Sequence, residues 1–208
     1  MQPGLFYHIY THANGFENIF REEKNYAYFL KRYKYYTSAI VDTYSYCLLP
    51  NHFHLLVKVK NEKELLTHFK LGQDQHQKQE QDQAYFENLS GLITQQYSNL
   101  FNSYAKAFNK EYKRRGSLFV RPFQRKEIDS DAYLSKVIHY IHANPVHHGF
   151  VKSINKWKWS SYLPLLSDKP TLLKRNEVFQ WFGGIEEFIT FHQQPIDLKI
   201  SKYLDDQT

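Results

Sequence analysis

Two histidines one residue apart, His52 and His54 in the run Leu49-Pro50-Asn51-His52-Phe53-His54-Leu55-Leu56-Val57, are the side chains of this chain best placed to do chemistry. Side chains alternate along a strand, so both imidazoles project from one face while Phe53, Leu55, Val57 and Val59 form an apolar stripe on the other. Neighbouring imidazoles can share one divalent cation; they can equally be two hydrogen-bonded surface histidines. The metal reading gains weight from a tyrosine far downstream, in Tyr140-Ile141-His142-Ala143-Asn144-Pro145. A phosphodiester must have charge neutralised on its nonbridging oxygens, which a divalent cation does as a Lewis acid, and a tyrosine hydroxyl can then be the attacking oxygen. A free phenol titrates near ~10, so the cation or a basic side chain such as Lys136 would have to favour the phenolate. A covalent phosphotyrosine divides strand transfer into cleavage and rejoining, which suits DNA rearrangement better than degradation.

The elements that must position these groups follow from periodicity. From Asp131 to Ala143, Leu134, Val137, Ile138 and Ile141 fall at i, i+3, i+4 and i+7, the spacing of an amphipathic helix. Tyr133, Tyr140 and Asn144 lie along one flank of its apolar face with Lys136 just beyond, and His139 and His142 lie on the opposite side. Asp129 or Ser130 can cap the start. Pro145 disfavours helical geometry at Asn144, which predicts Tyr140 at the core boundary in the last full turn and Asn144 at a frayed end. The plainer reading of Tyr140 is an amphipathic ring beside the core.

Upstream, Leu5 to His12 reads as a strand ended by Asn14-Gly15, Glu17 to Ser38 as a helix, and Val41 to Leu49 as a strand that turns at Pro50-Asn51 into His52 to Lys60. Gly72 to Gln83 alternates Gln with charges and reads as a flexible insertion, about 72–90. Leu92 to Arg115 is a second long helix and Ser117 to Ile128 a last strand before the tyrosine helix. The order β-α-β-β-α-β is that of an α+β, ferredoxin-like split βαβ fold, an antiparallel sheet with helices on one face and the histidines accessible on the other. Residues 1–162 form the domain that carries these motifs. Residues 163–208, with Pro164, Pro170 and Trp181-Phe182-Gly183-Gly184, read as a small C-terminal extension that covers the core in preference to recognising DNA ends.

Lys and Arg number 27 against 21 Asp and Glu, for a net charge of +6, and the isoelectric point is about 9.1. The surplus concentrates between Lys106 and Lys126, where Glu111 is the only acid. Such a stretch can follow a phosphate backbone. Lys58, Lys106, Lys110, Lys113, Arg114, Arg115, Arg121, Arg125 and Lys136 are the expected DNA contacts, whereas Tyr97, Phe101, Tyr104 and Phe108 repeat at helical spacing and read as core. The single Cys47 excludes an intrachain disulfide and fits a reducing cytoplasm. The start lacks a signal peptide, and no run approaches the ~20 apolar residues of a membrane span. His147-His148, His8 and His12 read as structural histidines.

Three segments carry a family resemblance: Tyr46 to Val57, Arg115-Gly116-Ser117-Leu118-Phe119, and Tyr140 to Gly149 followed by Trp159-Ser160-Ser161-Tyr162. They resemble the single-tyrosine HUH transposases, in order and spacing most like the branch called REP-associated tyrosine transposases. The resemblance covers roughly Phe6 to Tyr162. It implies that His52 and His54 bind a catalytic Mg²⁺ or Mn²⁺, that Tyr140 is the nucleophile, and that Asn144 completes the metal site. It further implies single-stranded DNA with a hairpin as substrate and a 5′-phosphotyrosine with a free 3′-hydroxyl. Insertion-sequence relatives act as dimers and REP-associated ones can work as monomers, so a homodimer is left open. Asn144 stands where the insertion-sequence branch has glutamine, and the insertion near Gly72 departs from the pattern. Two other readings stand beside the strand transferase: a domesticated DNA-binding protein without transposition activity, and a metal-dependent phosphodiesterase with a water nucleophile.

Overall fold

Alternation along four strands sorts the chain onto two faces of one sheet. The structure, a computed structural model, describes residues 1–70, 78–120, 122–197, 200 and 203–204. Its elements run β1 (Phe6–His12), α1 (Glu23–Thr37), β2 (Val41–Leu49), β3 (His52–Val59), α2 (Glu62–Lys70), α3 (Lys78–Glu111), β4 (Gln124–Ile128) and α4 (Asp131–His147). The sheet has the order β2-β3-β1-β4 with every neighbouring pair antiparallel, the expected split βαβ arrangement.

One face packs on α1 and α3. Ile9 of β1 and Phe53, Leu55 and Val57 of β3 meet Phe29, Tyr97, Phe101 and Tyr104 there, all of them buried. The helical repeat expected to be core is core. On the second face, Leu134, Val137, Ile138 and Ile141 of α4 lie against Cys47, Leu49 and Leu56. Three further helices, α5 (Tyr162–Leu166), α6 (Arg175–Phe182) and α7 (Ile185–Phe191), complete this second core with Leu165, Val178 and Phe188. Trp159 to Ser161 runs antiparallel beside β2, with Leu48 N donating to Trp159 O at 2.9 Å and Ser161 N to Tyr46 O at 2.9 Å.

Helices therefore cover both faces, and the expectation of histidines accessible on an open face does not hold. The C-terminal residues bring enough apolar surface to bury that face as well. Other boundaries also shift. α1 starts at Glu23 because Glu22 and Asn25 form a reciprocal cap there. The last strand begins at Gln124, after Pro122, which has no N–H to give a ladder. α2 lies where the sequence pattern predicts no helix. Residues 72–77 of the Gln-rich stretch lie outside the described residues, and the rest of it belongs to α3 from Lys78. α4 continues through Pro145 to His147, so Asn144 is helical and buried, not frayed. The proline falls near the end, where few backbone hydrogen bonds remain to be lost. Among the described residues no helix is long and apolar enough to cross a membrane.

Candidate active site

The β1–β3 register sets Tyr10 opposite His54 and His12 opposite His52. His8, Tyr10, His12, His52 and His54 thus project from the face that α4 covers. The Tyr140 ring stands edge-on to His54 at 5.6 Å and to His8 at 6.1 Å between centroids. Tyr140 is 3% exposed, so it lies within the core and not at its boundary. The structure brings together all four residues expected at the reacting centre: Tyr140, His52, His54 and Asn144.

Their polar atoms divide into two sets. His52 Nδ1 is 2.8 Å from Asn51 Oδ1, His54 Nδ1 is 2.9 Å from His8 Nε2, and Asn144 Nδ2 donates to the Tyr140 carbonyl at 3.2 Å. His52 Nε2, His54 Nε2 and Asn144 Oδ1 are buried with no hydrogen-bond partner. A buried polar atom left alone costs about 1–3 kcal/mol, so these three are atoms that a bound group could satisfy. Two imidazole nitrogens and a carboxamide oxygen fit a divalent cation that keeps part of its water shell. Among the described residues, no three or more His, Cys, Asp or Glu side chains are grouped to hold a metal, so Asn144 is needed to complete this set.

Burial, reinforced by His12 and His148, pushes the His52 imidazole down to about 3. Asn144 works slightly the other way on His52, although the two do not reach hydrogen-bond geometry. Burial first, and then His8, holds His54 well below the ordinary histidine value. Both rings are consequently neutral at pH 7, the state in which imidazole is a ligand.

Sequence reasoning missed the neighbours. His8 is fully buried and parallel to His54, His12 stacks on His52 at 4.7 Å, and His148 stands edge-on to His52 at 5.0 Å. Alternation on β1 puts His8 and His12 on one face, but only the strand pairing shows which residues they meet.

A second polar chain pins α4. His192 Nδ1 donates to Phe188 O at 2.7 Å, which leaves His192 Nε2 to accept from His142 Nδ1 at 2.8 Å. His142 Nε2 then accepts from Ser161 Oγ at 2.7 Å. Two of the recognised motifs meet here, so α7 and the segment beside β2 fix the helix two residues from Tyr140.

The basic residues scatter. Lys106, Lys110, Lys113 and Arg115 are exposed at the end of α3 and just beyond it. Arg114 instead commits its guanidinium to Glu17, Asn109 and the carbonyls of Gly116 and Ser117, which makes it a pin for its own loop. Lys136 pairs with Asp197 at 2.9 Å, a carboxylate that the expected role beside the phenol did not anticipate. Lys58 lies over the Phe6 ring at 5.1 Å, on the histidine face of β3. Arg125 of β4 pairs in register with Ile9 and points to the other face. Arg121 lies outside the described residues.

No family model matches the chain. A four-stranded sheet of this topology, with a tyrosine packed over a His-x-His strand, is the arrangement that the resemblance to the single-tyrosine HUH transposases implies. A curated protein of Haemophilus influenzae, provisionally named REP-associated tyrosine transposase, is 28% identical over 123 residues. That match takes in 58% of this chain and 58% of the relative, so the chain spans less than two thirds of the relative's length. A solved REP-associated tyrosine transposase bound to a REP hairpin superposes with a TM-score of 0.50 at 15% identity, covering 81% of this chain and 84% of that one. The resemblance to REP-associated tyrosine transposases therefore holds in sequence and in fold.

Proposed function

We propose that the chain is a metal-dependent DNA strand transferase, a tyrosine transposase that cuts single-stranded DNA beside a hairpin through Tyr140 and rejoins it. The meeting of Tyr140 with His52, His54 and Asn144 around three unpartnered buried atoms carries this reading. The relative's name and the hairpin bound in the solved neighbour support the substrate class. A divalent cation, Mg²⁺ or Mn²⁺, held by His52 Nε2, His54 Nε2 and Asn144 Oδ1 would neutralise charge on the scissile phosphate.

Tyr140 Oη attacks phosphorus, the P–O3′ bond breaks, and the departing 3′-oxygen takes up a proton as the 5′-phosphate passes to the tyrosine. A 3′-hydroxyl later attacks the phosphotyrosine, restoring a phosphodiester and the phenol, with no phosphodiester bond lost. Tyr140 meets histidines of its own chain, which supports action without a second copy. The exposed cations near the end of α3 would hold the DNA backbone. The buried, unpaired Cys47 agrees with work in a reducing cytoplasm.

His52 and His54 are only 3% and 4% exposed, so a phosphate reaches them when part of their cover shifts. This closure is the observation that favours the alternative, a domesticated protein that binds DNA without cutting it. The test is incubation with labelled single-stranded hairpin DNA and Mg²⁺ or Mn²⁺, followed by a denaturing gel. A covalent adduct supports the transferase; binding without adduct across varied hairpins and both metals supports the alternative.

A further inference from the structure

His8 has no role in the constellation so far, yet it is the residue most fully committed to it. It is 0% exposed, its ring is parallel to that of His54 within 4° at 5.1 Å, and its Nε2 is 2.9 Å from His54 Nδ1. Tyr10 stacks on it at 4.9 Å and 18°, which fixes the plane of the ring. Its other nitrogen, Nδ1, is buried without a partner. A phenyl ring would fill this place without burying an unpaired nitrogen, so filling space does not account for an imidazole here.

Two neutral imidazoles joined in this way share one proton, and its owner decides what His54 offers the site. If His54 Nδ1 carries the proton, His54 Nε2 is a bare lone pair. If His8 Nε2 carries it, His54 keeps its own proton on Nε2, where it blocks a cation. At His52 the question is already decided: Nδ1 faces the carboxamide oxygen of Asn51, which only accepts, and Nε2 is left bare. The same pattern, Nδ1 held and Nε2 unpartnered, recurs at His54 with a partner from a different strand.

We propose that His8 is a positioning residue for the divalent cation: it accepts a hydrogen bond from His54 Nδ1–H and holds His54 in the tautomer whose Nε2 is a ligand. The inference rests on the metal site of the proposed function and gives that site an outer partner on each histidine, one from the β2–β3 turn and one from β1. Outer partners of this kind fix ring orientation and raise ligand basicity, and their loss weakens metal binding by about 10- to 100-fold.

Two readouts without DNA test it. Long-range ¹H–¹⁵N spectra of the wild-type, metal-free protein with labelled histidine should show His54 protonated on Nδ1 and bare on Nε2. Titration with Mn²⁺, followed by the resonance of the free ion, should show binding weakened about 10- to 100-fold in His8→Phe and largely recovered in His8→Gln, whose carboxamide oxygen can accept in place of Nε2. His54 protonated on Nε2 in the wild type, or Mn²⁺ affinity unchanged in His8→Phe, would overturn the proposal. The spectra need no variant, so a misfolded His8→Phe does not rescue it. If His52→Ala loses Mn²⁺ while His8→Phe keeps it, only the role of His8 fails. If the wild type takes up no Mn²⁺, the metal site fails with it.

Discussion

The two faces of the sheet grow from the same alternating strands, and they differ in what they leave unsatisfied. Against α1 and α3 the contacts are rings and aliphatic chains, and buried hydroxyls mostly find partners: Tyr104 donates to Ile19 O at 2.5 Å and Thr37 to Tyr33 O at 2.8 Å, with Tyr97 the exception. Against α4, His8, His52, His54 and Asn144 each keep a buried atom unpaired. The first face stabilises the fold. The second carries unsatisfied polar atoms at a cost in stability, as is expected where functional groups break packing rules.

The largest effect separates chemistry from structure on the second face alone. Tyr140→Phe removes one oxygen and keeps the ring, so adduct formation on hairpin DNA should disappear while hairpin binding stays at the wild-type value. Next, the first face should answer only in stability: Phe53→Ala removes a fully buried ring and should cost about 3–5 kcal/mol in denaturant unfolding. Asn144→Ala is its counterpart. It removes an unpartnered carboxamide oxygen, so cleavage should fall about tenfold or more while stability changes by about 1 kcal/mol or less. A stability loss as large as that of Phe53→Ala would make the two faces equivalent and end the distinction.

Acid should affect the second face first. Burial lowers His8 and His192 to about 3 and His139 to about 4 in the folded protein, against an unfolded value near ~6.5. The unfolded chain then binds more protons between those limits, so stability falls as pH drops below ~6.5 and levels off near the folded values. Melting curves from pH 7 to pH 4 should show this decline, and replacing His139 with Phe should reduce it. The smallest effect belongs to the surface. Arg115→Ala should weaken DNA binding and flatten the slope of log affinity against log salt by about 0.7, whereas Arg114→Ala should chiefly loosen the loop that it holds to Glu17.

The part of the site that is legible in the sequence is local. His52 with His54 follows from a period of two, and Tyr140 with Asn144 from a period of 3.6, so neighbours along the chain reveal the centre of the site. His8 and His12 stay hidden, because their meaning depends on the β1–β3 register, which pairs them with residues 48 and 40 positions on. Closure of the second face is hidden for a similar reason: the segment that reads as an appendage supplies Leu165, Val178 and Phe188 to its core. Lys136 and Arg114 show a third limit. Charge is visible in a sequence, but the carboxylates that engage it, Asp197 and Glu17, lie 61 and 97 residues away.

The most direct test of the account is to isolate the protein–DNA adduct formed with Mn²⁺, digest both components, and locate the residual nucleotide by mass spectrometry. A 5′-phosphonucleotide is expected on the peptide containing Tyr140 and on no other tyrosine peptide; a nucleotide on a different residue, or cleaved DNA with no protein-linked phosphate, would contradict attack by Tyr140.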